Sequence, residues 1–293
     1  MTIDPNPDAP ARAMTTEIVT TISELRARVA AWRAEGARVG LVPTMGALHE
    51  GHLSLVREIG KTAQRVIVSI FVNPTQFAPH EDFDRYPREL ERDRAKLGGT
   101  PANVIFAPSV GEMYPEGFAT KVEVGGPSEG LETDFRPHFF AGVATVVSKL
   151  LLAAMPDAAI FGEKDYQQLL VIRRMVRDLS LPIEIAGAAI LREADGLAMS
   201  SRNAYLKANE RVVAGRLNVI LAEAIELARD GSEIAGIESD AANGLLRAGF
   251  SSVDYVAIRD AESLKRIDRL ARPARILAAA KIGNTRLIDN MAL

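Results

Sequence analysis

The chain has 293 residues, 47 % hydrophobic and 25 % charged, with 35 basic and 38 acidic side chains and a net charge of −3. This is a globular profile with ample apolar surface for a core, and the near-balanced charge excludes a broad nucleic-acid footprint, which needs clustered Lys and Arg. Cysteine is absent, which excludes disulfide frameworks, thiolate nucleophiles and cysteine-based metal sites.

The Pro- and Asp-rich start lacks the basic-then-apolar order of a signal peptide, so residues 1–15 are read as a disordered lead-in. Thr21 and Glu24 have the spacing of a capping box, and Leu25, Val29, Ala30 and Trp32 follow at helical intervals up to Gly36. Residues 38–42 form a short apolar run closed by Pro43, read as a buried strand. Residues 49–61 carry Leu53, Leu55, Val56 and Ile59 as a helix would, and residues 66–72 are a second buried strand stopped by Asn73-Pro74. The alternation continues with a helix over 89–97, a strand over 104–106, a helix over 143–155, a strand over 158–161, a helix over 166–179 and an extended run over 183–191. No apolar stretch approaches the roughly 18 residues of a membrane span, so no membrane partner is expected. Past residue 203 the texture changes to Ala- and Leu-rich helices over 209–229 and 233–248, then strand-like runs over 253–258, 275–280 and 285–288.

Strands that alternate with helices and read as apolar on both faces predict a parallel sheet. The expected fold is therefore α/β: a Rossmann-like, mostly parallel sheet domain over residues 16–190 and a smaller α+β domain over 191–293.

The chemistry concentrates after the first core strand. Of the four histidines, His49 and His52 lie in Pro43-Thr44-Met45-Gly46-Ala47-Leu48-His49-Glu50-Gly51-His52. In an open α/β sheet, ligands bind outside the carboxyl ends of the strands, and a helix N-terminus offers N–H groups and a positive dipole end to phosphate. Three-residue spacing puts both imidazoles on one helix face, as hydrogen-bond donors to phosphate oxygens. Two surface histidines or a metal pair are the competing readings of an isolated HxxH, although Glu50 lies off that face. Gly46 and Gly51, in a strand–loop–helix setting, favour nucleotide binding.

This string resembles the HxGH signature of the nucleotidyltransferase superfamily, shared with class I aminoacyl-tRNA synthetases, and most closely that of the pantothenate synthetase (pantoate–β-alanine ligase) family. Further matching strings are Phe71-Val72-Asn73-Pro74-Thr75-Gln76-Phe77, Tyr86-Pro87-Arg88, Phe161-Gly162-Glu163-Lys164-Asp165-Tyr166-Gln167-Gln168, Met199-Ser200-Ser201-Arg202-Asn203, Val253-Asp254-Tyr255-Val256 and Thr285-Arg286-Leu287-Ile288-Asp289-Asn290. The resemblance runs from about residue 16 to 293. It implies a reaction in which (R)-pantoate and ATP give pantoyl adenylate and pyrophosphate, after which β-alanine displaces AMP to give pantothenate.

The resemblance also implies roles. His49 and His52 would stabilise the pentacoordinate α-phosphorus, with His52 the family's proton donor, and Lys164 would bind phosphate. Met45 and Gly46 would line the adenosine pocket, Gly162 and Asp165 would meet the nucleotide with the carboxylate on a ribose hydroxyl, and the backbone of Leu191 would contact adenine. Met199, Ser200, Ser201 and Arg202 would wrap the β- and γ-phosphates. Asn73, Gln76 and Gln168 would contact pantoate and β-alanine. Mg²⁺ would accompany ATP, with Asp93 matching an acidic position of the family. No organic cofactor and no nucleic-acid partner are expected; a homodimer and a cytoplasmic location are expected by analogy.

One run departs from the family pattern. Where Arg-Pro-Gly-His-Phe is usual, this chain has Arg136-Pro137-His138-Phe139-Phe140. A lost glycine would strain the backbone if that position needs a positive φ. Rival functions are a transferase that stops at the nucleotidyl product, a tRNA-charging fragment and a non-catalytic binding module.

Overall fold

The computed structural model describes residues 16–77, 89–270 and 273–293; the expected lead-in over 1–15 and the Tyr86-Pro87-Arg88 string lie outside the described residues. The chain opens with a short strand, β1 (Glu17–Val19), and α1 (Ile22–Ala34), whose start is the capping box read from the sequence: Thr21 accepts from the Glu24 amide and Glu24 accepts from the Thr21 amide. β2 (Val39–Thr44), α2 (Glu50–Ile59) and β3 (Arg65–Ile70) follow. A 3₁₀ turn (Pro74–Gln76), α3 (Leu90–Leu97), β4 (Ala102–Phe106), α4 (Val110–Met113) and α5 (Glu132–Phe135) lead to α6 (Phe139–Ala154). Then come β5 (Ala158–Gly162), a 3₁₀ turn (Glu163–Asp165), α7 (Tyr166–Asp178) and β6 (Glu184–Ala188).

These six strands form one parallel sheet in the order β1-β4-β3-β2-β5-β6. The first crossovers run outward from β2 to one edge, and the later ones return to its other side. The order therefore reverses between β2 and β5, the switch point at which such sheets open a crevice. Apolar side chains fill both faces: Leu41, Ile67, Val104 and Phe106 pack with α1, α6 and α7 in one cluster, and Val42, Val66, Val68, Ile105 and Ile160 pack with α2 in another. This is why the strands read as continuous apolar runs.

Beyond a 3₁₀ turn (Ser201–Tyr205) the chain builds α8 (Ala208–Ala214), α9 (Arg216–Arg229), α10 (Ile234–Ala248) and an antiparallel sheet β7 (Ser252–Asp260), β8 (Ala274–Ile282), β9 (Thr285–Ala292). Its core is drawn from Leu197 onward and is separate from the two clusters of the parallel sheet.

Four expectations need correction. Pro43 lies inside β2 rather than closing it; it pairs with Ser69 at a point where β2 has already left β5, so the missing N–H faces no neighbour on that side. The single helix expected over 209–229 is two, interrupted at Gly215, a weak helix former. α6 starts at Phe139, before the expected residue 143. His138 has an ordinary right-handed backbone (φ −91°, ψ −9°), so replacing the family's glycine there brings no strain.

Candidate active site

A crevice of about 1310 Å³ opens at the carboxyl ends of β2 and β5 and is roofed by residues of β8 and β9. The site is built first from the loop between β2 and α2. Gly46 (φ +84°) and Ala47 (φ +50°) take left-handed backbone in succession. The turn is held from behind by α3: the buried Asp93 carboxylate accepts from the Ala47 amide (2.9 Å) and the Leu48 amide (2.8 Å), while Lys96 Nζ donates to the Leu48 carbonyl. One turn of α3 thus grips consecutive peptides of the loop.

The loop delivers His49 and His52 in a reciprocal arrangement. His49 stands just before α2 as its N-cap, and its Nδ1 accepts from the Gly51 amide (3.2 Å). His52, in the first turn, accepts at Nδ1 from the His49 amide (3.3 Å). The rings lie 4.1 Å apart between centroids. An imidazole that accepts at Nδ1 carries its proton at Nε2, so both rings are Nε2–H donors. Gly51 makes this possible: a Cβ there would sit 2.8 Å from Cε1 and 2.9 Å from Nδ1 of His49. The helix therefore does not present a fully open set of N–H groups to a ligand. Imidazoles occupy the Gly51 and His49 amides, and the ring N–H groups take over as donors.

Both rings are neutral at pH 7. Burial, then the positive charges of Lys164 and Lys96, lower His49 to about 4. Burial, then His49 and the same two lysines, lower His52 to about 3.

The second wall is the turn after β5. Gly162, Lys164 and Asp165 line the crevice there, as do Gln167 and Gln168 at the start of α7. Gln76 lines it from the 3₁₀ turn after β3, and its carbonyl accepts from Arg136 (3.0 Å). Met45, Leu191, Met199, Ser200, Ser201 and Arg202 complete the lining expected from the sequence. The Met199 amide donates to the Leu191 carbonyl (2.9 Å), and Ser200 caps the 3₁₀ turn by accepting from the Arg202 amide (3.3 Å). The Met199–Arg202 segment is thus tied to Leu191.

Three of the expected site residues are not among those that line the crevice. Asn73 is fully buried; its Nδ2 donates to the Gly142 carbonyl and its Oδ1 accepts from Thr75 and Tyr114, so the amide holds the turn beneath Gln76. Gly46 contributes its left-handed backbone and does not line the crevice. Asp93 does not line it either, since its oxygens face the loop amides. Among the described residues no group of three or more His, Asp or Glu side chains converges to hold a metal.

The sequence reading missed a buried network at the crevice edge. Glu132 accepts from Tyr255 Oη (2.9 Å) and pairs with Arg286 (2.8 Å), whose Nε donates to Asp254 (2.7 Å). Burial, with the Glu132 carboxylate beside it, pushes the Tyr255 hydroxyl well above its ordinary value, so it stays a donor. Phe139 also lines the crevice, with the Arg136 guanidinium 3.8 Å from its ring centre. The Asp254-Tyr255 and Arg286 strings were visible in the sequence; their convergence on Glu132 was not.

The family profile described as pantoate–β-alanine ligase matches residues 17–292. The chain belongs to the pantoate–β-alanine ligase family. It is 57 % identical over 275 residues to the pantothenate synthetase of Mesorhizobium japonicum, covering 94 % of this chain and 97 % of that protein. It is 57 % identical over 276 residues to that of Paramagnetospirillum magneticum, with the same coverage. Among solved structures, pantothenate synthetase from Thermus thermophilus superposes with a TM-score of 0.87 at 47 % identity, covering 94 % of this chain and 99 % of that one. The ligase from Francisella tularensis, complexed with β,γ-ATP and β-alanine, superposes with a TM-score of 0.80 at 32 % identity, covering 94 % and 97 %. The fold shared with these ligases is the one that opens the crevice between β2, β5 and the antiparallel sheet.

Proposed function

We infer that this protein catalyses the ATP-dependent condensation of (R)-pantoate with β-alanine through pantoyl adenylate, releasing AMP and pyrophosphate. The observation that carries this reading is that His49, His52, Lys164 and the Ser200–Arg202 strap line one crevice with Gln76 and Gln168. A carboxylate cannot expel oxide, whereas an acyl adenylate can expel AMP, so the first task is transfer of adenylate to pantoate. In that step the pantoate carboxylate attacks the α-phosphorus and pyrophosphate leaves. The Nε2–H groups of His49 and His52 donate to the oxygens on which charge builds, and Lys164 and Arg202 balance the triphosphate. As neutral rings, both histidines donate hydrogen bonds from the outset; His52 can act as an acid once the nucleotide's negative charge raises its pKa. In the second step the β-alanine amine attacks the acyl carbon and AMP leaves. Gln76 and Gln168 offer uncharged donors and acceptors suited to the pantoate hydroxyls.

Mg²⁺ is the ordinary companion of ATP, holding phosphate oxygens with few protein ligands. The described residues do not fit a protein-built cage for it, since Asp93 is committed to the loop. The reading therefore takes the ion as carried by the nucleotide. No helix among the described residues is long and apolar enough to cross a membrane. A cytoplasmic site of action and a homodimer are the expectations that the family analogy supports.

The test is isotopic. Labelled pyrophosphate should exchange into ATP when pantoate alone is added, and AMP should accumulate only when β-alanine follows. Exchange indifferent to pantoate, or a stable nucleotidyl product, would overturn the reading in favour of a simple nucleotidyltransferase.

A further inference from the structure

The turn that carries Lys164 is gripped almost entirely from the far end of the chain. Asn290, on β9 and only 2 % exposed, donates from its Nδ2 to the Glu163 carbonyl (2.9 Å) and to the Lys164 carbonyl (2.8 Å). These carbonyls belong to the peptide planes on either side of the Lys164 Cα. One amide group therefore fixes the backbone from which the lysine side chain leaves. Arg275 on β8 completes the grip. It donates to Asn290 Oδ1 (2.5 Å) and to Glu163 Oε2 (3.0 Å), and its guanidinium lies 3.8 Å from the Tyr166 ring centre. Tyr166 in turn donates to the Ala261 carbonyl (2.8 Å).

The residue before Asn290 holds the opposite wall. Asp289 has a fully buried side chain and accepts from both terminal nitrogens of Arg192, at 2.7 and 3.0 Å, and from the Asn290 amide at 2.7 Å. Arg192 also donates to the Gly196 carbonyl and bridges through its backbone to Ala198, within the segment that joins Leu191 to the Met199–Arg202 strap. Successive strand residues point to opposite faces, which lets an Asp-Asn pair reach two different loops from one place on β9. The pair has no apolar role in a strand whose neighbours Leu287 and Met291 pack into the core of the smaller sheet.

We propose that Asn290 is a positioning residue for the adenylation step: through the two carbonyls it binds, it sets the place of Lys164 against the triphosphate, so that the antiparallel sheet controls nucleotide use through the backbone of that turn. The proposal rests on the reading of Lys164 as a phosphate ligand, and the experiment separates the two.

Asn290→Asp keeps an acceptor for Arg275 but turns an oxygen toward two carbonyl oxygens. Asn290→Ser removes the reach without adding charge, and it serves if the buried carboxylate prevents folding. In full-length protein that melts cooperatively, either variant should raise the KM for ATP about tenfold and leave the KM for β-alanine within about twofold; small displacements of a binding group have effects of this order. In a Lys164→Ala background the same Asn290 change should add less than about threefold, because the group it positions is gone. If Lys164→Ala alone leaves the KM for ATP unchanged, the phosphate reading of Lys164 is wrong and the proposal falls with it. If Lys164→Ala raises that KM but Asn290→Ser does not, or adds its whole effect on top, Asn290 does not act through Lys164. A parallel loss in both KM values, or a loss of kcat alone, would mark a structural role and overturn the proposal.

Discussion

The two walls of the crevice are made in different ways. The histidine wall is assembled locally: His49 and His52 cap one another's peptides within four consecutive residues, 49–52, and the nearest outside help comes from Asp93 and Lys96 on a helix of the same sheet domain. The lysine wall is assembled at long range, by Asn290, Arg275 and Ala261 from beyond residue 260. The local wall is rigid by its own hydrogen bonds. The distant wall is as rigid as the seating of the smaller sheet, which gives that sheet a way to influence nucleotide binding. The Glu132–Arg286–Asp254 network ties the same sheet to the segment before α6, beside the carbonyl of Gln76.

The largest expected effect tests the local wall. His52→Ala should lower pantoate-dependent pyrophosphate exchange by at least ~10²-fold with an unchanged melting curve, the usual loss for an oxyanion-type donor. Exchange near the wild-type rate would remove the imidazole pair from the mechanism. On the distant wall, Lys164→Ala should raise the KM for ATP about 30-fold, equivalent to about 2 kcal/mol of charge-assisted hydrogen bonding, with a smaller change for pantoate. A defect confined to pantoate would mean that the walls have been assigned to the wrong substrates. Gly51→Ala probes local assembly without removing a catalytic group. The added methyl falls on the His49 ring, and kcat should drop about tenfold while the KM for β-alanine holds. Wild-type kcat in that variant would show that His49 need not cap α2 to work.

The smallest effect is on stability. The folded protein holds His49 and His52 at about 4 and about 3, against about 6.5 in the unfolded chain. Below pH 6.5 the unfolded chain takes up protons that the folded rings refuse, so their contribution is intact above pH 6.5 and is lost as the pH falls toward 4. The melting temperature should fall by a few degrees between pH 7 and pH 5, and by less in a His49→Asn/His52→Asn protein. Equal slopes for the two proteins would show that the rings are not desolvated. Bound ATP should oppose the fall, since its phosphates favour the charged imidazole.

Much of the fold was legible because its signals are short-range. The Thr21–Glu24 capping box, the apolar runs of β2 and β3 and the helical spacing of α2 each depend on residues within a turn or two of one another. Pro43 and the early start of α6 were misjudged for a tertiary reason: neither the end of β5 pairing nor the packing of Phe140 into the crevice wall is written near those residues. The site divides in the same way. The imidazole pair is encoded by its spacing, whereas the hydrogen bonds that tie Asp93 to the Ala47 and Leu48 amides and Asn73 to Gly142 and Tyr114 join residues far apart in the chain.

From sequence alone, the parallel sheet, the histidine-bearing loop after its first core strand and the ligase resemblance followed, because alternation, capping and motif spacing are properties of neighbouring residues. Only the folded chain decided which polar groups face the ligand and which hold the loops. Asp93, Asn73, Asp289 and Asn290 are all polar and all near motifs; a buried amide or carboxylate must satisfy its hydrogen bonds with whatever the fold brings beside it, and here that was mostly backbone.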